Sequence, residues 1–192
     1  MSKTKVDSTG IDLSDNFAFT GTVSGAGGGK IGQVVSTTFT GTESSTAKAS
    51  SDSFTDSSVA ASITPTATSS KIMVMATVNQ GQSDGSNGLH IGRFTQAISG
   101  GSTTAVFVGA TAGNRIETSI GRVDGMSDNS VLNCSFNFLL TPSTTSAVTV
   151  TYQFAIRGTS SQTAYINRNG ANSDSVENQR TASAITLMEV LA

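Results

Sequence analysis

Residues 131–156 read VLNCSFNFLL, TPSTTSA, VTVTYQFAI, and the alternation in the two outer pieces decides the fold class. Leu132, Cys134, Phe136, Phe138 and Leu140 share one parity, with Asn133, Ser135 and Asn137 between them. Val148, Val150, Tyr152, Phe154 and Ile156 repeat the pattern against Thr149, Thr151 and Gln153. Successive side chains of a strand point to opposite faces, so a period of two gives each piece one buried face. The Thr- and Ser-rich link with Pro142 ends one strand before the next begins.

Further out, the same grammar recurs. Ile31–Thr40, Phe54–Ile63, Lys71–Val78, Leu89–Ile98, Ala105–Val108, Ile116–Val123, Ala164–Asn167 and Ala184–Leu191 are strand-like runs bounded by Gly, Asn, Asp or Pro. Lys71–Val78, KIMVMATV, reads as buried on both faces or nearly so, and residues 42–53, TESSTAKASSDS, read as a polar loop. No stretch sustains a 3.6-residue period with caps. Nine or ten short strands with turn signals between them predict an all-β sandwich or barrel.

The bulk composition agrees. Charged residues are 12% of the 192, hydrophobic residues 36%, and Ser and Thr together about 30%. Low hydrophobicity predicts disorder only when net charge is high, and here it is −2. The expectation is a folded chain with a neutral, hydroxyl-rich surface. Eleven basic residues against 13 acidic ones, scattered along the chain, argue against nucleic acid as a partner. No run approaches 18 apolar residues, so no membrane insertion is expected. MSKTKVDSTG lacks an apolar core, so no signal peptide is expected either.

Residues 1–29 stand apart. Ile11, Leu13, Phe17, Phe19 and Val23 fall on odd positions, alternating with Asp12, Ser14, Asn16, Thr20 and Thr22. This is an extended segment with one apolar face and nothing local to cover it. Glycines at 25 and 27–29 then separate it from the rest, giving an arm over 1–29 and a sandwich over 30–192.

That glycine cluster, VSGAGGGKIG at 23–32, resembles a phosphate cradle only at first sight. A G-x-x-x-x-G-K-[ST] loop would need glycine at Ser24 and a hydroxyl at Ile31. Gly27, Gly29 and Gly32 spell G-x-G-x-x-G, but the pattern that follows is β rather than helical. A linker is the reading that fits, and no cofactor is expected.

Other chemistry is thin. His90 is the single histidine and lies within a strand pattern, LHIGRF. Cys134 is the single cysteine, on an apolar strand face, which reads as a buried thiol. One histidine and one cysteine exclude the usual zinc ligand sets. Asp84 and Asn87 sit in one turn, DGSNG, and Asp124 and Asp128 in another, DGMSDN. Neither has the oxygen count of a calcium loop, and both read as surface hairpin turns. With Tyr152 in a buried stripe, Tyr165 is the one tyrosine left as a surface platform for a sugar.

Several strings together carry a resemblance. ITPTATSSKIMVMATV at 63–78, TAYINRNG at 163–170 and RTASAITLMEVLA at 180–192 resemble the C-terminal domain common in tail-fibre and other virion surface proteins of bacteriophages, particularly those of marine bacteria and cyanobacteria. TGIDLSDNFAFTGTVSGAGGGKI at 9–31 resembles the stretch that precedes that domain. The resemblance implies an antiparallel jelly-roll β-sandwich preceded by an extended N-terminal arm, often trimeric and similar to tumour-necrosis-factor-like heads. Family fibres carry a tail-attachment domain and shaft, whereas about 29 residues precede the sandwich here. A head-decoration, head-fibre or tail-tip protein therefore stands beside a tail fibre.

The implied protein is a non-enzymatic virion component, made in a bacterial cytoplasm. Its expected partners are itself as a homotrimer, other virion proteins of capsid or tail, and a host surface glycan. Ile11, Leu13, Phe17, Phe19 and Val23 would anchor it, and Asp84, Asn87, Asp124, Asp128 and Tyr165 would face a receptor. The competing expectation is a soluble glycan-binding module of lectin type, centred on Tyr165.

Overall fold

The computed structural model describes residues 31–48, 53–83, 90–121, 127–157 and 162–191. Ten strands follow in chain order: β1 (Ile31–Phe39), β2 (Glu43–Ser45), β3 (Thr55–Ile63), β4 (Lys71–Gln82), β5 (His90–Ile98), β6 (Thr103–Val106), β7 (Leu132–Leu140), β8 (Val148–Ile156), β9 (Ala164–Ile166) and β10 (Ser183–Val190). The described residues contain no helix.

Two antiparallel sheets hold these strands. The first runs β1-β10-β4-β7, and the short β9 and β2 continue it beyond the end of β10. β4 makes this possible through its length. Its residues 71–77 pair with β10, while Gln80, Gly81 and Gln82 pair with Ile166, Tyr165 and Ala164 of β9. Along the opposite edge, β4 pairs with β7 from Ile72↔Leu140 to Gln80↔Leu132. The second sheet runs β3-β8-β5-β6.

With β2 and β9 set aside, the chain visits the sheets in the order first, second, first, second, second, first, second, first. Two four-stranded sheets joined by such crossovers form the double Greek key of a jelly roll. The all-β sandwich read from the alternation is the fold observed.

Between the sheets lies one core. β4 contributes Ile72, Val74, Ala76 and Val78, β10 Ile185 and Leu187, and β7 Cys134, Phe136, Phe138 and Leu140. From the second sheet come Val59, Ala61 and Ile63 of β3, Phe94 of β5, and Val148, Val150, Tyr152, Phe154 and Ile156 of β8. Phe94 is the hub, with ring centroids 5.1 Å from Phe136, 5.1 Å from Phe138 and 5.2 Å from Tyr152, in tilted and edge-on arrangements. Such contacts add to the apolar burial that holds the sheets together. Gly92 has a specific cause, since a Cβ there would lie 1.8 Å from the Tyr152 hydroxyl. The phenol needs the space that the missing side chain leaves.

Sequence and structure part at three places. Ile116–Val123 does not form a strand within its described part; Ile120 makes only an isolated bridge to Gly92. Its apolar residues are spaced by polar ones that serve a loop lying along β5. Within the expected polar loop 42–53 there is a strand, β2, whose Glu43, Ser44 and Ser45 pair with Ile166, Tyr165 and Ala164. A polar tripeptide carries no alternation signal, and only the partner strand draws it into the sheet. Finally, β4 is longer than expected and one-faced over its first half: Lys71 and Met75 are exposed while Ile72, Val74 and Ala76 are buried. Its doubly buried part is the polar end, Asn79–Gln82, under β9 and the chain around it.

Candidate assembly face

The two sheets present very different outer surfaces. On the second, Arg93, Gln153 and Asp56 form a polar row. Arg93 Nε donates to Gln153 Oε1 at 2.8 Å, and Gln153 Nε2 donates to Asp56 Oδ1 at 2.6 Å. The Arg93 guanidinium also covers the Phe54 ring at 4.1 Å.

Hydrocarbon dominates part of the first. Register places Val34 opposite Met188, Met188 opposite Met73, and Met73 opposite Leu139, a row crossing all four strands. The flanking row on one side is Ile31, Val190 and Lys71, and on the other Ser36, Thr186, Met75 and Asn137. Ile31, Val34, Met75 and Leu139 are exposed by 51%, 54%, 42% and 50%. Among the described residues, four of the six large exposed hydrophobic residues thus gather on one face of one sheet. Lys71 is its sole ionisable group across these three rows. Exposed apolar side chains scattered singly are ordinary, whereas their gathering on one face makes that face the candidate contact surface.

Strand parity causes this arrangement. On β10 the inward residues are Ser183, Ile185, Leu187 and Glu189, which leaves Ala184, Thr186, Met188 and Val190 outside. Glu189 is the unexpected member of the inward set. It has no exposed surface. Gln33 Nε2 donates to its Oε2 at 2.9 Å, and the Thr66 amide and hydroxyl donate to Oε1 at 2.6 and 2.8 Å. Burial alone would push this carboxyl up, but these hydrogen bonds hold it down at about 2. Gln33 also donates to the Thr64 carbonyl at 2.6 Å. The ionised carboxylate therefore ties β1 and the β3–β4 connection to β10. The sequence did contain a signal for it, an acid at the buried parity of Ile185-Thr186-Leu187-Met188-Glu189.

The residues expected to form a site fare unequally. Ile11, Leu13, Phe17, Phe19 and Val23 lie outside the described residues, as do Asp84, Asn87 and Asp124. Asp128 lies in the turn before β7, where its carbonyl accepts the Gly170 amide at 2.7 Å and the Ala171 amide at 3.0 Å. Tyr165 is not a surface platform. It is buried, in β9 between β4 and β2, with the Arg168 guanidinium 3.6 Å from its ring centroid. A ring covered in that way cannot stack on a sugar.

His90 is also fully buried. It stacks on Phe154 at 5.8 Å, and its Nδ1 lies 3.2 Å from the Gly81 carbonyl, an arrangement that calls for a proton on Nδ1. Its Nε2 has no hydrogen-bond partner among the described residues. Burial lowers its pKa to about 4, against the smaller opposing effect of the Gly81 hydrogen bond. Cys134 is buried as expected, and burial raises its thiol pKa. Among the described residues no three His, Cys, Asp or Glu side chains gather as metal ligands would.

No family model and no curated protein matches the chain. Among solved structures, a particle of infectious bursal disease virus, Gt strain, is similar at 15% identity with a TM-score of 0.43, over 93% of this chain and 45% of that one. The VP2 subviral particle of the same virus is similar at 14% identity with a TM-score of 0.40, over 83% and 40%. The chain spans less than half the length of either.

Proposed function

We propose that the chain is a non-enzymatic structural component of a virus particle, a jelly roll displayed on the particle surface. The observation that carries this reading is the contrast between the two outer faces. One sheet presents a polar surface, whereas the other exposes an uncharged apolar row across four strands, as a subunit designed for assembly does. The hydroxyl-rich, weakly charged composition supports it, because little of such a surface depends on salt-screened ion pairs.

In its finer form the proposal is a bacteriophage homotrimer, on the tail or as a head decoration, serving host attachment or particle stabilisation. The strings at 63–78, 163–170 and 180–192 support the phage assignment by resemblance. Closed cyclic symmetry is the common solution for such subunits. The lectin-type alternative lost its platform with the burial of Tyr165.

Purified particles from the phage whose genome encodes the chain test the proposal. The chain should appear as a stoichiometric band on a gel. Densitometry separates the locations: on the order of hundreds of copies indicates a capsid shell, and a few dozen or fewer a tail, following the symmetry of each. Absence of the chain from purified particles overturns the proposal.

A further inference from the structure

The apolar patch needs an occupant, and the chain ahead of Ile31 has the matching chemistry. Ile31 belongs to the patch, so residues 1–30 join the sheet at its margin. Within them Ile11, Leu13, Phe17, Phe19 and Val23 form an apolar series of period two. Asp15 interrupts that series at the same odd parity, between Leu13 and Phe17. Lys71 interrupts the patch in the same way, two residues before Met73 and four before Met75 on β4.

The two patterns superpose. An extended arm running along β4 with Asp15 beside Lys71 brings Phe17 to the Met73 row and Phe19 to the Met75 row. Both chains advance by about 6.7 Å every two residues, so the match holds at successive steps. The opposite direction brings Leu13 and Ile11 to those rows instead and carries both aromatic residues, Phe17 and Phe19, past Lys71, the first residue of β4, so the direction chosen is the one that buries the larger apolar side chains.

Chain length then decides whose arm it is. In this register Val23 lies level with Asn79, about 27 Å along the sheet from the Lys71 row where Ile31 sits. Eight peptide steps join Val23 to Ile31, and they reach about 26–29 Å only when pulled straight. A segment with five of its first six linking residues Gly or Ala would have to be held taut back across the face it had just covered. From these relations we infer that residues 11–23 of one copy dock on the outer face of the first sheet of a neighbouring copy. Phe17 and Phe19 fill the Met73 and Met75 rows, and Asp15 pairs with Lys71. The inference rests on the homotrimeric reading above and names the contact that closes the trimer.

Photocrosslinking and charge exchange on the full chain test it. Benzoylphenylalanine in place of Phe19 should give crosslinks to peptides of β4 or β10 in a second copy, seen as a dimer band and located by mass spectrometry. Lys71→Glu should raise the concentration at which the trimer dissociates by about tenfold, and Asp15→Lys in the same chain should restore it. Crosslinks within one chain overturn the exchange between copies. Trimers by light scattering whose crosslinks run only from arm to arm overturn the docking and leave the trimeric reading intact. A monomer at every concentration overturns both.

Discussion

The Ser183 hydroxyl donates to Asn167 Oδ1 at 2.6 Å, while Asn167 Nδ2 donates to the carbonyls of Phe39 at 2.8 Å and Gly41 at 2.9 Å. One asparagine thus fastens the start of β10 to the end of β1. Ser183 Oγ also accepts the Asn79 amide at 2.9 Å, and the Asn167 amide donates to the Asn79 carbonyl at 2.9 Å. Asn167 has φ 61°, a left-handed conformation that asparagine tolerates better than most residues. Asn167→Ala should cost about 3 kcal/mol in urea unfolding, because it takes the acceptor from the buried Ser183 hydroxyl, leaves two partly buried carbonyls without their donor and strains the backbone. Asn167→Gly relieves the strain alone, so it should be the milder of the two.

Stability should fall on acidification in two stages. His90 has its folded pKa lowered to about 4 from 6.5. The unfolded chain therefore binds the extra proton first, and the contribution of a neutral His90 is complete above pH 6.5 and lost between about 6.5 and 4. A shift of that size corresponds to about 3 kcal/mol. Glu189 has its folded pKa lowered to about 2 from 4.5, so its contribution is complete above 4.5 and lost as pH falls toward 2. Urea titrations across this range measure both slopes. His90→Phe should flatten the upper stage, and Glu189→Gln the lower.

Gly92→Ala should be among the most damaging small substitutions. The added carbon would sit 1.8 Å from the Tyr152 hydroxyl, which accepts a 2.7 Å hydrogen bond from Gln80 Nε2. Either the phenol or β5 must move, and overpacking of this severity costs about 3 kcal/mol. A thermal melt reads the loss.

Val34→Ser combined with Leu139→Ser should act in the opposite sense. Both side chains are at least half exposed, so the fold should change by no more than about 0.5 kcal/mol. Association should weaken, and a dye that fluoresces on apolar surfaces should bind less to the dissociated chain. A large loss of stability would mean that the patch belongs to the core.

Tyr165→Ala separates two roles for one ring. Burial under Arg168 predicts a loss of about 3 kcal/mol of stability. A variant that keeps its melting temperature but loses binding on a glycan array would restore the lectin reading.

The alternation in residues 132–156 was enough to specify two strands, their inward faces and the burial of Cys134 and Tyr152. A period of two is local physics: each residue's face follows from its neighbour's. The sandwich class follows from many such strands with no helical period. The sequence left Tyr165 and β2 misread because the strands that flank them come from chain more than 80 residues away: β9 lies between β4 and β2, and Ser44 and Gly81 flank Tyr165. Nor could the apolar patch be seen in one dimension. Val34, Met73, Leu139 and Met188 are separated by tens of residues, and only the register of β1, β10, β4 and β7 aligns them. Sequence by itself determined which residues face in along the strands whose alternation is clean, β7 and β8 above all. Tertiary structure decided which strands are neighbours, because pairing depends on long-range hydrogen bonding and on the covering of faces that no local pattern encodes.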